Sequence, residues 1–327
     1  MHKKIFLLLA LFLSVPQKGF AQTEFNWSSL TWDNDAFLGN DDDGYTNGMY
    51  IALYQLKEYE QPSNAPWLLR PLMWSLTEKA DVGLNAYTIG QAMITPQNTE
   101  TETPAEDDLP YSGLLFLNNS YLSIHQNYTD KISTTIGIVG PLSLAEESQK
   151  TIHKWIGSGE PKGWDTQLKN ELVFQLSRAR AYRSWVADNN CWDLITAGEV
   201  SIGTLSSGVN VDVVLRFGTA LKYSYATQLL NSTRTTNPTV IGGGGYVYAG
   251  ISAGYLFNQI FTDGNTFTDS RSVDYDHEKI SAMLGVAYSW GSYSISLAAY
   301  DASILTNKSE KQAGLTQYGT FTFSFGL

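Results

Sequence analysis

A chain of 327 residues with 43% hydrophobic residues and a formal net charge of −11 can bury a sizeable core. It offers no basic face for a phosphate backbone, which excludes a nucleic-acid partner. A single cysteine, Cys191, excludes an intrachain disulfide and a thiolate zinc site, so stability must come from burial and backbone hydrogen bonding.

In chain order, residues 1–21 read as a signal peptide: Lys3 and Lys4 precede the apolar run Ile5 to Val15, and Gly19 and Ala21 suit a cleavage site. That segment holds three lysines and no acid, so residues 22–327 carry −14, one unit lower for each lysine removed. Nothing after it contains an 18-residue apolar run, which excludes membrane-spanning helices. The aromatic content is high, with 19 Tyr and 9 Trp. Amphipathic rings at that density suit girdles at the two interfaces of an outer-membrane barrel, with a secreted β-sandwich as the soluble alternative.

Period-two alternation then predicts twelve strands, at 25–35, 45–57, 83–94, 112–126, 131–139, 170–185, 191–203, 208–218, 245–256, 277–290, 292–303 and 316–326. In the last, Phe321, Phe323 and Phe325 alternate with Thr320, Thr322 and Ser324, the lipid-out and lumen-in pattern of a transmembrane strand. An even number of strands permits closure, and closure is required because an open edge in lipid leaves backbone groups unpaired. The expected fold is an all-β transmembrane antiparallel barrel, one domain over 22–327, in the outer membrane of a Gram-negative bacterium, as a monomer. Connections at 36–44, 95–111, 140–169, 204–207, 257–276 and 304–315 should face outward. The turns at 127–130, 186–190 and 291 are short and periplasmic. Two periplasmic connections, 58–82 and 219–244, are long; PWLLRPLMW in the first should lie along the inner interface.

One helix is predicted in an extracellular loop, from about Leu144 to Ile156, with Ser143 and Glu146 as a capping box and Gly157 as the stop. Three histidines follow the signal segment. His125 and His277 fall in or beside strands and suit lumen or interface positions. His153 lies on the loop helix, and an imidazole is the usual general base near neutral pH. An exposed helix histidine with no chemical role is the alternative.

The first hairpin, TWDNDAFLGNDDDGYTNGMYI, gathers Asp33, Asp35 and the run Asp41 to Asp43. Phe37 breaks the EF-hand spacing. Carboxylates at one strand end and carbonyls of YTNG at the next can nevertheless converge across the turn, and oxygen donors suit Ca²⁺. There is no GxSxG, HExxH, phosphate loop or CxxC.

These segments resemble the LpxR-type lipid A deacylases, outer-membrane enzymes that hydrolyse an acyl ester of lipid A. The resemblance rests on NDAF at 34–37, YTNG at 45–48, GQAMITP at 90–96, PYSG at 110–113, GIVGP at 137–141 and QKTIHKWIGSGEPKGWDTQLKNE at 149–171. It implies a twelve-stranded barrel with a Ca²⁺-dependent site between the outer wall and a helical loop, facing the outer leaflet. By motif, His153 would be the base that activates water. Asp35, Thr46 and Gly48 would lie at the ion, with Asn34 beside it as the second catalytic candidate. Two positions depart from the family. The family has an acidic residue shortly after the histidine, in some members six places on; Gly159 stands at that place here, with Glu160 next as candidate metal ligand. An arginine found before PY in many members is Leu109, and 80–130 contains no Lys or Arg. The implied substrate is lipid A of lipopolysaccharide. The alternative from another class is a non-catalytic barrel, a small pore or surface binder whose acidic loop collects cations.

Overall fold

A computed structural model describes residues 26–37, 45–58, 66–76, 79–157, 159–233, 243–301 and 317–327. Twelve antiparallel strands close into a barrel, each bonded to its sequence neighbours, with the last strand returning to the first. They are β1 (Trp27–Asn34), β2 (Tyr45–Glu58), β3 (Val82–Ile94), β4 (Ser112–Ile124), β5 (Tyr128–Val139), β6 (Glu171–Val186), β7 (Trp192–Ile202), β8 (Ser206–Gly218), β9 (Gly243–Gln259), β10 (Glu278–Trp290), β11 (Tyr293–Asp301) and β12 (Tyr318–Gly326). All twelve expected strands are present, with ends shifted by a few residues. The expected loops 36–44 and 304–315, including Asp41 to Asp43, fall largely or wholly outside the described residues.

Alternation decides the two faces. On β12, Phe321, Phe323 and Phe325 are partly exposed while Thr320, Thr322 and Ser324 are buried in the lumen. Leu172, Val200, Ile202, Ile251 and Leu284 are likewise outward and exposed, as a lipid-facing wall requires. Trp192, Phe217, Tyr288, Trp290 and Tyr293 lie outward at the end that carries the chain termini and the short turns, which marks the periplasmic side.

The two long periplasmic connections are structured. Residues 66–76 lie on the outside of the wall: Leu69 and Leu76 pack on Tyr121 of β4 and Ile132 of β5, and the Leu68 carbonyl accepts from Thr134 Oγ1 at 2.8 Å. Trp67 and Trp74 remain exposed, the arrangement expected of an interfacial segment. The other connection enters the barrel. Leu221, Tyr225, Leu229 and Leu230 are buried among Ala179, Ala181, Ile195, Val214, Tyr246 and Tyr248 of the inner wall. Bonds that hold this inner segment include Arg216 Nη2 to the Leu221 carbonyl, 2.6 Å, Lys131 Nζ to the Leu229 carbonyl, 2.9 Å, and Tyr225 Oη to the His125 carbonyl, 2.6 Å. The lumen charges beside it are paired, Lys131 with Glu199 and Asp193 with both Arg183 and Arg216, as buried charges must be. Above the segment a cavity of about 320 Å³ remains, lined by Tyr50, Phe116, Gln175, Glu199, Asp212 and Lys279.

Candidate active site at the extracellular rim

The extracellular rim is built by register. Asn34 at the end of β1 lies opposite Asn47 of β2, Asn47 opposite Met93 of β3, and Met93 opposite Gly113 of β4. With neighbouring strands about 4.8 Å apart, this row crosses roughly 14 Å of wall. At its far end Gly113 receives the loop helix, because a Cβ there would collide with Ser143 Oγ and Ala145 Cβ. Tyr50, Ala92, Leu114 and Phe116 line the lumen cavity, so Gln91, Met93 and Gly113, in the other phase, face outward. The helix Ala145–Ile156 therefore sits on the outside of the wall.

Its seat accounts for several of the motifs. Gln91 Nε2 donates to the Ser143 carbonyl at 2.6 Å. Met93, Tyr111, Ala145 and Trp164 form a small buried cluster, in which the Tyr111 and Trp164 rings meet at 4.9 Å. Trp164 Nε1 donates to Gln149 Oε1 at 2.7 Å, and a Cβ on Gly163 would lie 2.5 Å from the Tyr111 ring. Gly140, at φ +99°, passes so close to Lys169 that a Cβ would lie 2.6 Å from its carbonyl carbon. At the end of the block, buried Glu171 accepts the backbone N–H groups of Thr266 and Phe267 and the Asn265 amide, tying this loop to the connection between β9 and β10.

The expected capping box is absent. Ser143 is the last residue of a 3-10 turn, Pro141–Ser143, and it is buried against Gly113. The N-cap is Leu144, left-handed at φ 60° and without a side-chain cap bond. Glu146 instead pairs with Lys150 at 2.8 Å, a bond that raises the lysine pKa and keeps it cationic. Packing of the preceding turn onto β4 thus outweighs the local capping preference.

His153 Nδ1 lies 2.5 Å from the Gly159 carbonyl oxygen. A carbonyl only accepts, so Nδ1 carries the proton of the neutral ring and Nε2 keeps its lone pair. This backbone partner was not expected from the sequence. Glu160 is exposed and lies 3.7 Å from Lys150. Asp35 opens a short 3-10 turn, Asp35–Phe37, at the end of β1, and its side chain is 6% exposed. Phe37 of that turn covers Gly319 of β12. Gly48 lies opposite Asp33 on one side and Ala92 on the other. Thr46 is within β2. The structure therefore places Asn34, Asp35, Thr46 and Gly48 together at the ends of β1 and β2, with His153 on the separate loop helix seated on β3 and β4. Among the described residues no three His, Cys, Asp or Glu side chains gather as a metal site. His125 stacks on Tyr128 at the periplasmic turn, and His277 on Tyr255, with its Nδ1 2.7 Å from the Leu256 carbonyl; both occupy strand-end positions, as expected.

A closed barrel with an apolar outward phase and aromatic strand ends defines an integral outer-membrane β-barrel protein. The family model described as "Outer membrane protein LpxR" matches residues 5–327, and the chain belongs to that family. Among solved structures it is similar to LpxR from Salmonella typhimurium, with a TM-score of 0.71 and 14% identity over 92% of this chain and 100% of that one. It is more distantly similar to the translocator domain of the autotransporter NalP from Neisseria meningitidis, with a TM-score of 0.42 and 9% identity over 99% and 94% of the two chains. Outer membrane phospholipase A from Escherichia coli gives 0.28 and 10% identity over 98% and 96%. No curated protein matches the chain.

Proposed function

We propose that this barrel is an ester hydrolase that removes an acyl chain from lipid A in the outer leaflet, with His153 as general base and Ca²⁺ as cofactor. Family membership supports the reaction class. The observation that carries the mechanism is the contact of His153 Nδ1 with the Gly159 carbonyl: a carbonyl accepts only from Nδ1–H, which leaves Nε2 to take a proton from water. In the reaction the water oxygen bonds to the ester carbonyl carbon while its proton passes to Nε2. The carbon–oxygen ester bond then breaks, and Nε2 returns the proton to the departing sugar alkoxide. A fatty acid and a hydroxyl are released.

Position supports the same reading. The loop helix lies on the outer wall at the extracellular rim, with Trp155 and Leu142 exposed, beside the leaflet in which lipid A presents its acyl esters. Asn34, in the outward phase of β1, would steady the bound ester with its amide. A carboxylate from Asp35 and oxygens of Thr46 and Gly48, at the ends of β1 and β2, would supply a hard oxygen set of the kind that suits Ca²⁺. When bound, the ion would supply Lewis-acid polarisation of the ester carbonyl. Glu160 would join that set only by leaving Lys150. The inner segment at Leu221 to Leu230 weighs against the pore reading, since it occupies the periplasmic end of the lumen.

The test is deacylation of purified lipid A by folded wild-type and His153→Ala protein, with and without a chelator. Loss of turnover in the variant and on chelation is expected. Unchanged turnover in the variant removes the base assignment, and unchanged turnover on chelation removes the calcium.

A further inference from the structure

At the periplasmic end, two arginines and one aspartate meet on the lipid-facing side of the wall. Asp130 is two residues into β5 and lies opposite Arg180 of β6; Arg178 lies opposite Ile132 and Val200. Their phase is outward, because Ala179 and Ala181 between and beyond them are buried in the lumen core while Val200 and Tyr182 are exposed. Arg180 forks onto Asp130, Nε to Oδ1 at 2.7 Å and Nη2 to Oδ2 at 2.8 Å. Arg178 Nη2 also bonds Oδ1, and its Nε donates to Ser75 Oγ of the covering segment at 3.1 Å.

Two guanidiniums against one carboxylate leave one net positive charge on this patch. Arg180 is the exposed member: its side chain is 43% accessible, with the guanidinium carbon 5.1 Å from the Tyr128 ring and 5.9 Å from the Tyr182 ring. A lone arginine on a barrel's lipid face costs about 2–4 kcal/mol at the midplane and about 0–1 near an interface. Such a charge is therefore suited only to headgroup depth. Exposed Trp67 and Trp74 on the adjoining segment mark that depth, and Arg70 there adds a second exposed cation. Further out along the wall the outward side chains are apolar, with Val200, Ile202 and Phe174 all exposed.

We infer that this patch binds one glycerophospholipid of the inner leaflet, its phosphate on Arg180 beside Tyr182 and its acyl chains along Val200, Ile202 and Phe174. The inner leaflet is the source because the patch lies at the end that carries the termini; lipid A, which also bears phosphate, is in the other leaflet.

The experiment is native mass spectrometry of the mature barrel in detergent, titrated separately with phosphatidylglycerol, the diacylglycerol with the same chains, and lipid A. One bound phosphatidylglycerol is expected, with Arg180→Gln weakening its retention about tenfold, the equivalent of one charge-assisted hydrogen bond. Heat-modifiable gel migration checks that the variant is folded. Equal retention of phosphatidylglycerol by wild type and Arg180→Gln overturns the inference. So does Arg180-dependent retention of lipid A above phosphatidylglycerol, which places the site in the wrong leaflet. If Arg180→Gln does not fold, the wild type decides alone: preference for phosphatidylglycerol over diacylglycerol supports a phosphate site, and equal retention refutes it.

Discussion

Replacing Trp164 by Phe should loosen the loop that carries His153 while leaving the barrel intact. Trp164 is 1% exposed, and Phe keeps most of its packing on Tyr111 but removes the indole N–H that reaches Gln149 Oε1. Gln149 is itself 2% exposed, and its Nε2 has no hydrogen-bond partner among the described residues. The variant would thus bury an amide with neither end paired, a cost of about 1–3 kcal/mol. A value near 2 kcal/mol raises the population of the open loop roughly 30-fold, at about 1.4 kcal/mol per tenfold. The strand ladder is untouched, so the opening is local. Trypsin reads it through Lys150 and Lys154 on the helix: cleavage should accelerate by about that factor, with no change in heat-modifiable migration. Because removing both partners of a buried bond is nearly neutral, Trp164→Phe with Gln149→Leu should regain most of the protection. Equal cleavage of Trp164→Phe and wild type, or a double variant as labile as the single one, would refute the reasoning.

Gly113→Val should displace the loop helix, since even a Cβ collides with Ser143 and Ala145; deacylation is expected to fall at least tenfold in protein that still migrates as a folded barrel. Gly159→Ala keeps the carbonyl that holds His153 and should retain activity within about threefold, whereas Glu160→Gln, which removes the pair with Lys150, should leave turnover at each calcium concentration unchanged; a need for more calcium would assign Glu160 as a ligand. Arg216→Met should destabilise the inner segment by about 1–3 kcal/mol, because it removes two bonds to buried Asp193, which keeps its pair with Arg183, and one to the Leu221 carbonyl; a lower midpoint in urea unfolding checks it.

Strands were legible wherever alternation was strong, because each outward residue faces lipid and each inward one faces a filled lumen. β12 is the clearest case. PWLLRPLMW, expected along the inner interface, lies on the outside of the wall with Trp67 and Trp74 exposed. The entry of residues 219–233 into the barrel was not legible: Leu221, Tyr225, Leu229 and Leu230 carry no short-range signal of which surface they will cover, and the wall residues they are buried among lie on four different strands, β6 to β9. The capping box failed for a related reason, since the tertiary contact of Ser143 with Gly113 outweighed a local pattern. At the candidate site, His153 stood out by residue type and by motif. Its partner is a backbone carbonyl, which no residue type announces; the only trace was a glycine six residues after the histidine. The register row from Asn34 to Gly113 likewise joins four strands through pairings that become definite only in the closed barrel.

The most direct test of the account is the mass spectrum of lipid A from cells producing the wild-type barrel, the His153→Ala barrel, or neither. Lipid A lighter by one acyl substituent is expected with the wild type alone, and intact lipid A in the other two. A wild-type spectrum identical to that of cells without the protein, with the barrel folded in the outer membrane, would contradict it; the same loss of mass with His153→Ala would contradict its mechanism.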